Sequence, residues 1–139
     1  MKKIIPILLL AILFISCDDN YSYPEELTTK QVFTFHVNSS DWVEHVDNQG
    51  LNRYYSCNFK INGPDAYFIS KGAAMAYVDY SGYQQGLPYT RHFENTAGDR
   101  WTTTIDYDYS ATDVNFYVTS SDFAVARPEE MYFRLVLIL

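Results

Sequence analysis

The chain has little cysteine and no long hydrophobic run. Only Cys17 and Cys57 occur among its 139 residues, and because the first is expected to be modified, no intramolecular disulfide is predicted. Cys57 lies between aromatic residues, which predicts a buried, inert thiol rather than a catalytic one. The longest apolar stretch, 4–15, has about a dozen residues, whereas a helix needs about 20 to cross a membrane. A conventional transmembrane anchor is therefore not expected.

Positive charge and recognisable catalytic motifs are also scarce. The formal net charge is −7, which disfavours nucleic acid and anionic lipid headgroups as partners. His36, His45 and His92 are far apart in the sequence, and the chain contains neither a D-x-D-x-D-G calcium loop nor a G-x-S-x-G turn. The sequence therefore predicts no metal and no cofactor. A small hydrolase stays open as a minor alternative, because catalytic carboxylates are brought together in space rather than in sequence.

Residues 1–16 have the composition of an export signal. Lys2 and Lys3 precede the apolar stretch, and Ser16 comes immediately before Cys17. A basic start, a short apolar core and a small residue at the break are typical of a secretory signal peptide. Because a cysteine follows the break, the segment resembles a bacterial lipoprotein signal. In such a signal the thiol is lipidated and the cysteine becomes the new N-terminus. Phe14 departs from the Leu or Val that is usual at its position in that pattern. We therefore predict lipid attachment at Cys17, and cleavage near Ser16 that leaves a free thiol is the alternative.

Residues 17–30 are polar and acidic and predict a flexible tether. Fully extended, the residues after Cys17 would reach about 45 Å. Two or three acyl chains on Cys17, palmitate among them, would make the anchor permanent, since each buried methylene contributes about 0.8 kcal/mol. Asp18 and Asp19 resemble the acidic signal that directs Bacteroidota lipoproteins to the cell surface, and a solvated start to a linker is the alternative. The predicted location is the cell envelope, lipid-anchored at the outer membrane.

From residue 31 onward, apolar residues recur with a period of two, and no stretch has the 3.6-residue period of a capped helix. Residues 101–109 show this best, since Ile105 and Tyr107 alternate with Asp106 and Asp108. The other alternating stretches are 33–37, 55–61, 74–80 and 114–118, with a short hairpin loop expected at 110–113. Residues 131–139 are apolar on both parities, which favours a central strand covered on both faces. Residues 31–139 are therefore predicted to form one all-β domain, an antiparallel β-sandwich of about six to eight strands, with a small closed barrel as second choice.

Short sequence elements distributed over 40–139 carry a resemblance to a family. They are Ser40-Asp41-Trp42, Tyr54-Tyr55 before Phe59, Tyr83-Gln84 followed by Leu87-Pro88-Tyr89, Trp101-Thr102, Ile105-Asp106-Tyr107, Phe116-Tyr117-Val118, Ser121-Asp122-Phe123 and Phe133-Arg134-Leu135-Val136-Leu137. Together they resemble a family of small Bacteroidota lipoproteins, some of which carry collagen-like Gly-Pro stretches after the lipidated cysteine. No such repeat is present in this sequence. The resemblance implies an exported β domain and brings no activity with it.

Aromatic residues are abundant, with thirteen Tyr, nine Phe and two Trp. Most are expected to pack on strand faces. Tyr80, Tyr83 and Tyr89 lie in or beside a predicted loop, 81–88, and aromatic side chains on loops of a β scaffold stack on sugar rings or hold peptides. These three tyrosines, with Gln84 as a hydrogen-bonding neighbour, are therefore the candidate ligand-binding residues. Packing of the loop itself is the alternative.

These observations predict a non-enzymatic envelope lipoprotein whose β-sandwich binds a glycan or a peptide. The alternative is a structural or assembly subunit of the envelope that docks on a partner through an exposed strand edge. The membrane is the one partner that the sequence itself indicates, through a lipidated Cys17.

Overall fold

A computed structural model describes residues 30–61, 71–123 and 126–138. The predicted signal peptide, Cys17 and the predicted tether up to residue 29 lie outside these ranges. Within them the chain forms nine β-strands and one short 3-10 turn, Ser39–Asp41. The strands are β1 (Lys30–Val37), β2 (Val43–Val46), β3 (Arg53–Lys60), β4 (Ala73–Tyr80), β5 (Tyr83–Gly86), β6 (Tyr89–Glu94), β7 (Arg100–Tyr109), β8 (Asp113–Ser120) and β9 (Met131–Ile138).

The strands form two antiparallel sheets. One sheet has the order β1-β9-β4-β5 and the other has the order β2-β3-β8-β7-β6. The two sheets are not closed into a barrel, so the predicted β-sandwich is confirmed and the closed barrel is wrong. The nine strands exceed the predicted six to eight, because short edge strands such as β5 lie in segments predicted as loop. The predicted loop 81–88 contains the short strand β5, whose Tyr83 pairs with Tyr80 of β4. Three residues, 110–112, join β7 to β8, which agrees with the predicted hairpin loop.

The core lies between the sheets and follows the alternation in the sequence. Phe116 of β8 and Phe133 of β9 stack across it with ring centroids 4.0 Å apart, and Phe35 packs against Phe116 at 5.6 Å. Cys57 is buried in the same core, and this burial raises the pKa of its thiol. The prediction of a buried Cys57 is therefore confirmed, and the raised pKa works against a reactive thiolate.

Strand β9 is central in its sheet, as predicted, because it pairs with β1 on one side and β4 on the other. Its inward residues Phe133, Leu135 and Leu137 are buried. Its outward residues differ in solvent exposure along the strand, since Val136 is buried whereas Tyr132 is 52% exposed. The prediction of cover on both faces therefore holds at the end of β9 and is wrong at its start, where the outer face meets solvent.

Candidate functional site

A cleft opens between the two sheets near the point where the chain passes from β4 through β5 to β6. It encloses about 340 Å³ and is lined by residues 78–81, by alternate residues of β6 and β7, and by residues 129–131 before β9. Ile105 of β7 lies at its inner side and is buried. The cleft is therefore an opening of the core at one edge of the sandwich.

Two of the four predicted binding residues, Tyr80 and Tyr89, line this cleft. Their ring centroids are 6.4 Å apart, and the guanidinium carbon of Arg91 lies 4.2 Å from the centroid of the Tyr80 ring. A guanidinium at this distance interacts favourably with the ring face. Arg91 follows Tyr89 by two residues, so the pleat of β6 turns both side chains to the same face.

The other two predicted residues do not line the cleft. Tyr83 is 72% exposed on the edge strand β5. Gln84 donates a hydrogen bond to Asp79 at 3.4 Å and borders a separate hollow on the outer face of the four-stranded sheet. The structure thus separates the four residues into a cleft pair and an outer pair. A binding role for any of them stays a prediction.

The acidic wall of the cleft comes from the segment before β9, and residues far away in the sequence hold it in place. The hydroxyl of Ser39 donates to the carbonyl oxygen of Pro128 at 2.8 Å. The indole N–H of Trp42 donates to the carbonyl oxygen of Glu129 at 3.2 Å. Trp42 is itself only 1% exposed, so the core fixes the position of Glu129 through this bond.

Electrostatics at the mouth of the cleft are dominated by carboxylates. Asp79, Glu129 and Glu130 border it together with Arg91, although the Asp79 carboxylate is hydrogen-bonded to Gln84 on the outer face of the four-stranded sheet. Glu130 accepts a hydrogen bond from the hydroxyl of Tyr132 at 2.5 Å and lies 3.0 Å from the Nε2 of His36. The Tyr132 hydroxyl and then His36 hold the pKa of the Glu130 carboxyl below its usual value. Glu130 therefore stays ionised, and the mouth favours a ligand that carries positive charge.

A second cavity adjoins the first. It encloses about 320 Å³ and shares Thr103, Glu129 and Met131 with the cleft. Arg53 and Arg127 contribute positive charge to its lining, whereas Asp122 and Glu129 contribute negative charge, and Arg53 is ion-paired with Glu44. The two cavities therefore form one depression, with a net negative charge in the cleft and residues of both charges in the second cavity.

Strand β6 leaves main-chain groups free beside the cleft, and none of its residues lines the second cavity. Across the ranges 30–61, 71–123 and 126–138, β6 pairs with β7 alone. Its middle residues, Thr90, Arg91 and His92, are exposed. An unpaired edge of this kind is a template for an added strand.

The lining of the depression combines aromatic, hydroxyl and charged side chains. Neither cavity is lined by a histidine or a cysteine of the described residues. They offer ring faces, hydroxyls and fixed charges. No group of three or more potential metal ligands occurs in the described part of the chain, and none of its helices is long and apolar enough to cross a membrane.

No family model, curated protein or solved structure matches this chain. The resemblance to small Bacteroidota lipoproteins therefore stays a prediction, as do the lipid anchor and the location.

Sequence reasoning missed the charged residues of the site. Arg91 had a local signal, since it shares a strand face with Tyr89. Glu129 and Glu130 had none, because their place beside Tyr80 depends on the contacts of residues 128–129 with Ser39 and Trp42, almost ninety positions away.

Proposed function

We propose that this protein is a non-enzymatic, lipid-anchored module of the cell envelope that binds an extended peptide in the depression between its sheets. The observation that carries the proposal is the free edge of β6, three of whose residues line the cleft. The edge supplies main-chain hydrogen bonds, and the cleft supplies a pocket for side chains, which is the usual division in strand addition.

A peptide suits this depression better than a sugar does. The net negative charge of the cleft suits a chain that bears a basic side chain. Main-chain donors and acceptors along β6 have their natural complement in a second polypeptide backbone.

The test is binding of peptides to the full chain purified in detergent. The probe is an arrayed library of peptides of about ten residues, long enough to cover an edge strand. We expect selection of peptides with a Lys or Arg. Tyr89→Ala removes a ring from the cleft wall and should weaken the selected peptides about tenfold, the usual effect of losing an aromatic anchor. Methylation of alternate peptide amide nitrogens should abolish binding, because it blocks pairing with β6.

The matched control is Tyr83→Ala, which removes an equally large ring that is exposed outside the cleft. It should leave the affinity within about twofold, as expected for a contact outside the binding centre. If Tyr83→Ala weakens binding as much as Tyr89→Ala, or if the methylated peptides bind as well as the parents, the cleft is not the peptide site.

The alternative, an assembly subunit that docks by a strand edge, is supported by β1. This strand is eight residues long and, in the described ranges, pairs with β9 alone. Val32 of β1 and Met75 of β4 are exposed on the outer face of the same sheet. The variant Val32→Asp distinguishes the two proposals. It should abolish docking along β1 and leave peptide binding in the cleft unchanged.

A further inference from the structure

The outer face of the five-stranded sheet carries a second concave surface, separate from the cleft. It is an open groove of about 500 Å³ whose lining includes Tyr54, Pro88, Asp106, Asp108, Tyr117 and Thr119. Successive residues of a strand point to opposite faces, so Asp106 of β7 faces the groove while its neighbour Ile105 faces the core. The groove therefore shares a strand with the cleft but no lining residue.

A hydrogen-bond network across three strands fixes the polar groups of this surface. The hydroxyl of Tyr117 donates to Asp108 at 2.8 Å, and the side-chain amide of Asn115 donates to the other carboxylate oxygen at 2.6 Å. Asn58 of β3 donates to Asn115 at 2.8 Å. Burial, followed by the Asp108 carboxylate, raises the pKa of the Tyr117 hydroxyl to about 12, so it remains a donor over the whole physiological range. The surface is thus ordered before any ligand arrives.

Asp106 has no hydrogen-bonding or ionic partner within the described residues, although it lies between ordered neighbours. Its carboxylate is half-buried, and this burial, followed by the charge of Asp108, raises its pKa. An acceptor left unpaired in a groove is available to hydroxyl donors of a ligand. The Tyr54 ring lies across β8 from Asp106 at the groove margin and is 37% exposed. It is held parallel to the ring of His45 with centroids 4.7 Å apart, and its centroid is 6.1 Å from that of Tyr117.

The position of the groove within the sheet restricts what binds there. It lies over β3, β8 and β7, which are the three internal strands, so their main-chain groups are already used in pairing. A peptide therefore has no free edge to pair with, and recognition depends on side chains. The lining has two carboxylates and no Lys, Arg or His, which disfavours anionic ligands.

We propose that this groove binds a neutral glycan chain, with a sugar ring against Tyr54 and sugar hydroxyls donating to Asp106. Aromatic rings with a nearby acceptor suit a sugar, which presents an apolar ring face and several hydroxyl donors. This site is independent of the peptide cleft, so either proposal can fail alone.

The experiment measures binding of neutral oligosaccharides of glucose, mannose and xylose to the full chain in detergent by titration calorimetry. Polygalacturonate and a lysine-rich peptide are included as anionic and cationic competitors. We expect one neutral glycan to bind in preference to both. Asp106→Asn and Tyr54→Ala should each weaken it about tenfold, as expected for a central contact. Arg91→Ala, in the cleft, should leave glycan affinity within about twofold.

Several results would overturn the glycan site. They are the absence of binding by every neutral glycan, tighter binding of the lysine-rich peptide, and unchanged affinity in both groove variants. Release of new reducing ends would assign hydrolysis to the Asp106 and Asp108 pair in place of simple binding. A circular dichroism melt of each variant shows whether it is folded, and Asp106→Asn is not expected to lower the melting temperature, since it removes a charge that is partly buried.

Discussion

At the scale of single residues, Trp42 shows how core and site are connected. Its indole ring is buried and packs edge-on against Phe133, with centroids 6.2 Å apart. Its one polar group is satisfied by the carbonyl oxygen of Glu129, in agreement with the general need of buried tryptophans for a partner. A single side chain thus contributes hydrophobic burial to the sandwich and sets the position of an acidic residue in the cleft.

Asp106 offers a residue-scale prediction that depends on pH. Its folded-state pKa lies above the ordinary value of 3.8, so the folded chain holds this proton more tightly than the unfolded chain does. The contribution of Asp106 to the free energy of unfolding therefore decreases as the pH rises from about 3.8 through the raised pKa, and above that pKa it is constant. Asp106→Asn removes the ionisation and should increase the free energy of unfolding at pH 7 by about 0.5 kcal/mol, a small effect because water screens the half-exposed group.

Urea unfolding of the wild type and of Asp106→Asn at pH 7 and near pH 3 measures this difference. The advantage of the variant should disappear at the lower pH, where the carboxyl is protonated in both states. A variant that is less stable than the wild type at pH 7 would show that the Asp106 carboxylate has a stabilising partner.

At the scale of elements, the turn between β6 and β7 depends on a glycine. Asn95 accepts hydrogen bonds from the N–H groups of Ala97 and Asp99, both at 2.9 Å, and Gly98 has a φ of +89°. A side chain is strained at such a φ. Gly98→Ala should therefore lower the free energy of unfolding by about 1–2 kcal/mol.

Gly86→Ala is the matched control for the turn, measured by the same urea titration. A Cβ at either glycine meets nothing within 4 Å, and only Gly98 of the two has a positive φ. Gly86→Ala should therefore change stability by no more than about 0.5 kcal/mol. Equal losses in the two variants would mean that backbone strain at Gly98 is not the cause.

The long strands were predictable from the sequence, whereas the short edge strands were not. In β7 and β8 a two-residue period over eight or more positions separates an inward face from an outward one. Strands β2 and β5 have four residues each and are mostly exposed, so their sequences carry little alternation.

The cleft was only half predictable for a related reason. Tyr80 and Tyr89 were noticed as aromatics beside a loop, but Glu129 joins them only through the packing of the whole sandwich.

At the scale of the whole molecule, the proposed function requires that the sandwich be displayed from a membrane. The first strand, β1, begins at Lys30 within the described residues, and Cys17 is the predicted anchor point. Cys17→Ser removes the thiol that would carry the acyl chains, each methylene of which contributes about 0.8 kcal/mol to membrane binding. We expect this variant to leave the membrane fraction and to lose incorporation of a palmitate analogue, measured by fractionation and by in-gel detection of the label.

The second cysteine supplies the matched control. Cys57 is buried in the core, where its raised pKa keeps it protonated and unreactive, so Cys57→Ala should retain both the membrane association and the label. The comparison separates loss of a lipid from loss of any thiol. Labelling that persists in Cys17→Ser would refute the anchor. Loss of the label in a folded Cys57→Ala variant would place the lipid on Cys57 instead of Cys17. The domain would then not be displayed through the tether that begins at residue 17.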